Sequence, residues 1–389
     1  MNIFYYTWSE STQSDMLSTF KKFGYNVFLY SKEFSSYDFD DFFSKDFEYN
    51  FINNKCDVIF TFDFFPIIAR ISKKLNVKYI SWTYDCPNFC LFSNTILYDQ
   101  VYLFLFDKEQ TKQIKKLGAK HAFHLPLGVN TARLENLINN SDSNPYANKH
   151  TSYDISFVGS LYKNIPFDTI NYLPEYINGY VNGLIASQHE IWGMDLITPN
   201  ITDDIVSEML KYLNLPIEPE YYFTPKDFII DFIQSKLTQL ERINYLDCLG
   251  NHFATHLFTN TPHQFNSPVV VHDPIDYNDE MPLVFNRSKL NLNITLRSIT
   301  QGIPLRVLDI MASKGFMITN FQGELLDNFV PDQEFVYFED EKDLIEKCGY
   351  YLESSQARTR IIDAAFYKLK SSFDYNSRLE VLISNSIKS

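Results

Sequence analysis

Six short apolar runs, at residues 3–7, 26–30, 57–61, 78–83, 102–106 and 122–126, punctuate the first third of the chain, with amphipathic stretches at 14–23, 65–75 and 108–117 between them. Each run has the length of one strand, and each stretch carries apolar residues near every third or fourth position, the period of a helix buried on one face. A helix between two strands must carry the chain back across the sheet before the next strand can pair. Parallel pairing with right-handed crossovers follows, and so does an open α/β sheet. No G-x-G-x-x-G follows the first run, so the dinucleotide fingerprint is absent.

The sheet closes at Pro126-Leu-Gly-Val-Asn130, and an Asn- and Ser-rich run at 139–150 reads as loop. A new strand begins at Tyr153 and ends in Phe157-Val-Gly-Ser160. A segment without convincing strands, about 165–247, then reads as a helical insertion, with helices expected at 203–213 and 226–249. The alternation resumes with strands at 252–259, 269–271, 290–296, 315–320 and 335–338 and helices at 304–313 and 342–352. With 389 residues, of which 45% are hydrophobic, two cores are affordable. The expected organisation is an N-terminal domain over 1–130, a C-terminal domain over 131–370, and a final helix, 371–389, that packs back across the first. Two such sheets face each other across a cleft at their C-terminal edges, where ligands bind in this class of fold.

Charge and cysteine usage narrow the field. A net charge of −14 repels phosphate backbones, and no basic run exceeds two residues, so a nucleic-acid binder is excluded. Small anions need only two or three well-placed cations. The five scattered cysteines argue for free thiols in a reducing compartment. Cys86-x3-Cys90 has no second pair at matching spacing, so no metal site is expected. The N-terminus lacks the pattern of a secretory signal and no apolar run is long enough to span a bilayer, which makes a cytoplasmic protein the expectation.

Two stretches could carry chemistry. In Phe157-Val-Gly159-Ser160-Leu-Tyr162 a strand ends in Gly-Ser, which lets backbone approach an anion closely, or simply turns the chain. In residues 290–315 a strand leads through Gly302-Ile-Pro304 into a helix whose first amides would attract phosphate. Arg306 stands in that first turn, where a cation opposes the helix dipole, and Asp309 follows on the same face. The pair is either a salt bridge or a phosphate ligand beside a carboxylate for ribose hydroxyls.

Several stretches together resemble one family: Ser81-Trp-Thr-Tyr-Asp-Cys-Pro-Asn88, Leu103-Phe-Leu-Phe-Asp107, Leu125-Pro-Leu-Gly-Val-Asn130, Glu241-Arg-Ile-Asn-Tyr-Leu246, Asp276-Tyr277 with Glu280-Met-Pro282, and residues 290–315. They stand in the order found in glycosyltransferases of the GT-B fold, specifically the CgeB-like, spore-maturation type. The resemblance implies two Rossmann-like domains and a nucleoside-diphosphate sugar, UDP-linked, bound mainly by the C-terminal domain. It places Asp309 at the second acidic position of the Glu-x7-Glu pattern, on the donor ribose. Gln301 stands at the first, so the pattern is half kept and the stereochemistry is left open. It places Gly159 and Ser160 beside the diphosphate and Tyr277 over the nucleobase; Gly302, in the turn before the phosphate-attracting helix, joins them as a donor-binding candidate. It offers Arg242, Arg297 and Arg306 as arginines for the leaving group without saying which touches it.

Sugar transfer leaves negative charge on the departing diphosphate, which arginines and helix amides can stabilise without a metal or other cofactor. An inverting enzyme also needs a base on the acceptor side. Asp85, at the end of the fourth strand, is the expected base, with Asp107 in reserve; His124 reads as linker. The acceptor would be a protein or polysaccharide. A same-fold epimerase would bring its own acid/base carboxylates and histidines around the sugar, and a non-catalytic sugar-nucleotide-binding protein would bind donor without turnover. Release of free nucleotide separates these readings.

Overall fold

The structure is a computed structural model that describes residues 1–140, 152–162, 173–213, 215, 220–261 and 263–387. Most of the expected 139–150 loop and the first residues of the insertion lie outside the described residues.

The first sheet contains β1 (Asn2–Tyr6), β2 (Asn26–Tyr30), β3 (Val58–Phe62), β4 (Lys78–Thr83), β5 (Val101–Leu105) and β6 (Ala122–His124), in the order β2-β1-β3-β4-β5-β6. The second contains β7 (Tyr153–Val158), β8 (Thr255–Phe258), β9 (Val270–His272), β10 (Ser288–Asn293), β11 (Met317–Asn320) and β12 (Val336–Phe338), in the order β12-β11-β10-β7-β8-β9. Every pairing is parallel. This is the architecture of two open α/β sheets that the alternating pattern implies. Strands β3 and β5 are buried along their whole length, as parallel strands covered by helices on both faces must be.

The helix Asp41–Asn53 between β2 and β3 was not anticipated. Phe43, Phe47 and Phe51 recur every four residues and are buried, but the aromatic-rich segment blurred that period. In the insertion, helices Glu175–His189, Asp203–Met209 and the first half of Pro225–Gly250 share a small core of Ile177, Val181, Met209, Ile229 and Ile233. A capping box between Thr224 and Asp227, with Pro225 in the first turn, starts the long helix. The last helix, Tyr375–Ser386, lies against the first domain: Val129 N–H donates to Phe373 O at 3.0 Å, and Tyr375 meets the Trp82 ring edge-on at 5.9 Å. No helix among the described residues is long and apolar enough to cross a membrane. All five cysteines are free.

The seam between the domains corrects two sequence-based expectations. Asp107, expected as a reserve base, is 1% exposed and its carboxylate is fully engaged. Oδ1 caps the helix Lys108–Lys116 by accepting from Glu109 N at 2.8 Å and Gln110 N at 2.9 Å. Oδ2 accepts from Thr300 N at 3.0 Å and Gln301 N at 2.8 Å in the other domain. Gly302, expected as a donor-binding residue, instead pairs with Asp107 in an antiparallel bridge. A Cβ there would stand 2.8 Å from the Phe106 ring. Glycine is needed for this close approach of one domain to the other, and Phe106 and Ile303 continue a single apolar core through the seam. Gly302→Ala should therefore lower the melting temperature by several degrees, the scale of about 1–3 kcal/mol of overpacking. An unchanged melting curve would show that the seam can open to admit a methyl group.

Candidate functional site

Strand order builds the cleft. In the second sheet β8 and β9 lie on one side of β7, and β10, β11 and β12 on the other, so the connections diverge between β7 and β10. The loops that leave these two strands carry Gly159-Ser160 and residues 293–296. Opposite them stands the loop after β4. Between the two lies a cavity of about 490 Å³, lined by Tyr84, Asp85, Cys86 and Pro87 from the first domain and by Gly159, Ser160, Tyr162, Asp231, Arg242 and Arg306, among others, from the second.

Two arginines dominate it. Arg242 donates from Nε and Nη2 to Ile294 O, at 3.2 and 2.7 Å, and from Nη1 to Ser160 O at 2.6 Å. Its guanidinium lies 4.6 Å from the centre of the Tyr162 ring. Burial lowers its pKa from the ordinary arginine value. Arg306 donates from Nη1 to Val158 O at 2.5 Å, while its buried Nε has no hydrogen-bond partner. Neither guanidinium forms an ion pair among the described residues. Their partners are backbone carbonyls, which orient a cation without neutralising it. Buried charge left in this state is costly until an anion arrives.

The Gly159-Ser160 loop sits beside them, but its first amide is spent: Gly159 N–H donates to Phe258 O at 3.0 Å. Ser160 Oγ accepts from Tyr162 N at 3.0 Å and lies 3.2 Å from Thr261 Oγ1. The loop therefore presents Ser160 and the arginine it orients rather than a run of free amides.

Asp309 is 4% exposed and makes no ion pair with Arg306, despite the shared helix face. Tyr277 Oη donates instead to Asp309 Oδ1 at 2.9 Å. Burial raises the Asp309 carboxyl to about 6, against the nearby Arg306 charge and the tyrosine bond, which pull it down. Asp309 and Tyr277 thus form a unit, and neither is among the residues lining the cavity. A ribose reaching Asp309 must share or displace the tyrosine hydroxyl.

Arg297 is not brought to this group. It pairs with the buried Glu241, from Nε to Oε1 at 2.9 Å and Oε2 at 3.1 Å, and covers the Trp192 ring at 3.3 Å. Further bonds to Ile191 O and Gln188 O, both at 3.3 Å, fasten the insertion to the second sheet. A bidentate carboxylate already pairs this cation, and the bonds it makes anchor the insertion to the second sheet. Its position in the Arg297–Arg306 motif carried no hint of that, because Glu241 lies 56 residues upstream.

On the opposite wall, Asp85 is exposed to the cleft at the end of β4. Beneath it lies a residue that sequence reasoning missed as functional. Asp63 directly follows β3, is buried, and adopts a left-handed conformation with φ of 55°. Its Oδ1 accepts from Tyr84 N at 3.1 Å, Asp85 N at 3.3 Å and Asn88 Nδ2 at 3.4 Å. One carboxylate so shapes the loop that carries the other. Burial, then the charge of Asp85, raises the pKa of Asp63, and burial raises that of Asp85. The available signal was a lone acid at the end of the apolar run Val58-Ile-Phe-Thr-Phe-Asp63.

Comparison with known proteins matches one domain of the chain and the fold of the whole. Residues 231–384 match the family model of glycosyl transferase-like domains. No curated protein matches the chain in sequence. Among solved structures, a glycosyltransferase from Rickettsia africae superposes with a TM-score of 0.52 at 11% identity, covering 100% of this chain and 99% of that one. A UDP-forming α,α-trehalose-phosphate synthase from Burkholderia xenovorans gives 0.55 at 10% identity, covering 99% and 98%. Anabaena Alr3699/HepE, in complex with UDP-glucose, gives 0.52 at 8% identity, covering 100% of both chains. The two facing parallel sheets are the GT-B fold shared with these structures, and residues 231–384, in the second half of the chain, resemble a glycosyl transferase-like domain.

The raised Asp309 sets a pH dependence. The unfolded carboxyl titrates near 3.9 and the folded one at about 6, so between these values the folded state holds more protons than the unfolded state. Stability from this group is therefore gained as pH falls through that window and lost as it rises. Relative to Asp309→Asn, the wild-type protein should melt progressively higher as the pH is lowered from about 6 to about 4. Parallel melting curves for the two proteins across that range would show that Asp309 titrates normally.

Proposed function

We propose that this chain transfers a sugar from a nucleoside-diphosphate sugar, UDP-linked, to a hydroxyl of a protein or polysaccharide acceptor, without a metal or other cofactor, as a CgeB-like member of the GT-B glycosyltransferases. The observation that carries the reading is the pair Arg242 and Arg306: two cleft cations oriented by carbonyls at the switch point of the second sheet, with no ion-pair partner among the described residues. A diphosphate supplies the missing charge. That solved structures with the same fold hold UDP-glucose, as Alr3699/HepE does, favours a uridine donor.

In this mechanism the acceptor oxygen attacks the anomeric carbon as the bond from that carbon to the diphosphate oxygen breaks. The diphosphate leaves with the electron pair, and Arg242 and Arg306 stabilise its growing charge more than that of the bound donor. The acceptor proton passes to the carboxylate of Asp85, which Asp63 holds at the cleft through the Tyr84 and Asp85 amides. Asp309 takes the ribose, and Tyr277, beside the nucleobase, yields one carboxylate oxygen of Asp309 to a ribose hydroxyl.

Two experiments test this. Arg306→Gln should weaken UDP binding in calorimetry by roughly 1.5–3 kcal/mol, the worth of a hydrogen bond to a charged group, with excess chelator present throughout. Equal affinity in the variant, or binding that requires added manganese or magnesium, would remove the arginine pair from the donor site. Asp85→Asn keeps shape and removes proton-accepting power. Donor turnover should fall by about 10²–10⁴, with UDP affinity little changed. A turnover within a factor of about three of wild type would leave Asp85 as a loop-ordering residue.

A further inference from the structure

A second cavity, of about 250 Å³, adjoins the arginine cavity and differs from it in sign. It lies between the 86–92 loop and the helix Lys108–Lys116 of the first domain and the helix Pro225–Gly250 of the second. The two cavities share Cys86, Pro87 and Asp231. No lysine, arginine or histidine among the described residues lines the second one. A phosphate-bearing ligand would find nothing there to balance it.

At first sight the cavity is acidic, yet most of that charge is already engaged. Asp107 is saturated by four amides. Asp227 Oδ2 accepts from Thr224 N at 2.6 Å and Oγ1 at 2.7 Å, and Asp195 Oδ1 from Ile197 N at 2.9 Å and Thr198 N at 3.1 Å. Glu109 is paired with Lys112 at 3.0 Å. Asp231 is the exception, having neither hydrogen bond nor ion pair among the described residues; burial raises its carboxyl to about 6. The rest of the lining is amides and hydroxyls, Gln110, Gln113, Gln234 and Thr300 among them, with the half-buried rings of Phe89 and Phe92. Gln110 is only 4% exposed, and its side-chain Oε1 has no hydrogen-bond partner.

Groups that both donate and accept, beside flat apolar rings and without free cations, suit a ligand whose hydroxyls do the same. We propose that this cavity is the binding site for an uncharged carbohydrate, the acceptor glycan, whose reactive end passes Asp231 into the arginine cavity. The word acceptor rests on the transferase reading above; the binding of an uncharged saccharide does not. Asp227, Asp231 and Gln234 recur at three- and four-residue intervals along one helix face, which lays their side chains in a row along the wall. Asp231 faces both cavities, and its carboxylate would accept from a sugar hydroxyl at the threshold between them.

Saturation-transfer NMR on the full chain, with UDP in excess to fill the arginine cavity, tests this directly. Lactose, cellobiose and N,N′-diacetylchitobiose serve as uncharged probes, glucose 6-phosphate as an anionic one and trilysine as a cationic one. At least one disaccharide should give a saturable signal, glucose 6-phosphate should compete with none of them, and Gln234→Ala and Asp231→Asn should each weaken the disaccharide about tenfold. Melting curves by circular dichroism establish that both variants are folded. Absence of saturable binding by any disaccharide, preferential binding of trilysine, or an unchanged affinity in both folded variants would overturn the proposal. Failure of UDP to bind would sink the donor reading and leave the disaccharide result to stand or fall alone.

Discussion

One carboxylate ties the molecule together. Asp107 caps a helix of the first domain with one oxygen and receives two amides of the second domain with the other. Charge-assisted bonds of this kind are about twice as strong as neutral ones, and the carboxylate that accepts all four is buried. They hold the 298–302 segment against the end of β5, and Gly302 permits the contact by lacking a side chain. Because the same segment leads into the helix that carries Arg306 and Asp309, the seam sets where the donor-side residues stand relative to Asp85.

The second organising feature is how charge is distributed among the arginines. Arg297, Arg242 and Arg306 look alike in sequence, but their surroundings separate them. Arg297 meets a buried glutamate and an indole face, is satisfied, and serves as a rivet between the insertion and the second sheet. Arg242 and Arg306 donate to carbonyl oxygens and form no ion pair among the described residues. Placing uncompensated cations at a sheet switch point costs stability, a cost consistent with a site preorganised for an anion. Across the cleft the first domain does the reverse, bringing two carboxyls together at Asp63 and Asp85.

Much of the fold was legible because its signals are local. The apolar run at 78–83 coincides with strand Lys78–Thr83, buried from Tyr79 onward, since a buried parallel strand must be apolar along its length. The helix Asp41–Asn53 escaped notice because Phe and Tyr crowd its exposed positions as well as its core, erasing the polar face that marks a helix. In the site, Arg306 was legible because a cation in a first helical turn is locally unfavourable and so asks for a reason. Asp107 was misjudged because an acid at the end of a strand reads the same whether it faces a cleft or caps the next helix.

By itself the sequence determined the parallel α/β layers and the list of polar residues at strand ends, since each follows from period and composition within a short window. Only the tertiary structure decided the strand order that places the switch point between β7 and β10, the pairing of Arg297 with Glu241, and the approach of Asp63 to Asp85. These are contacts between segments far apart in the chain. Whether a charged group is spent or free depends on the partner that folding delivers to it.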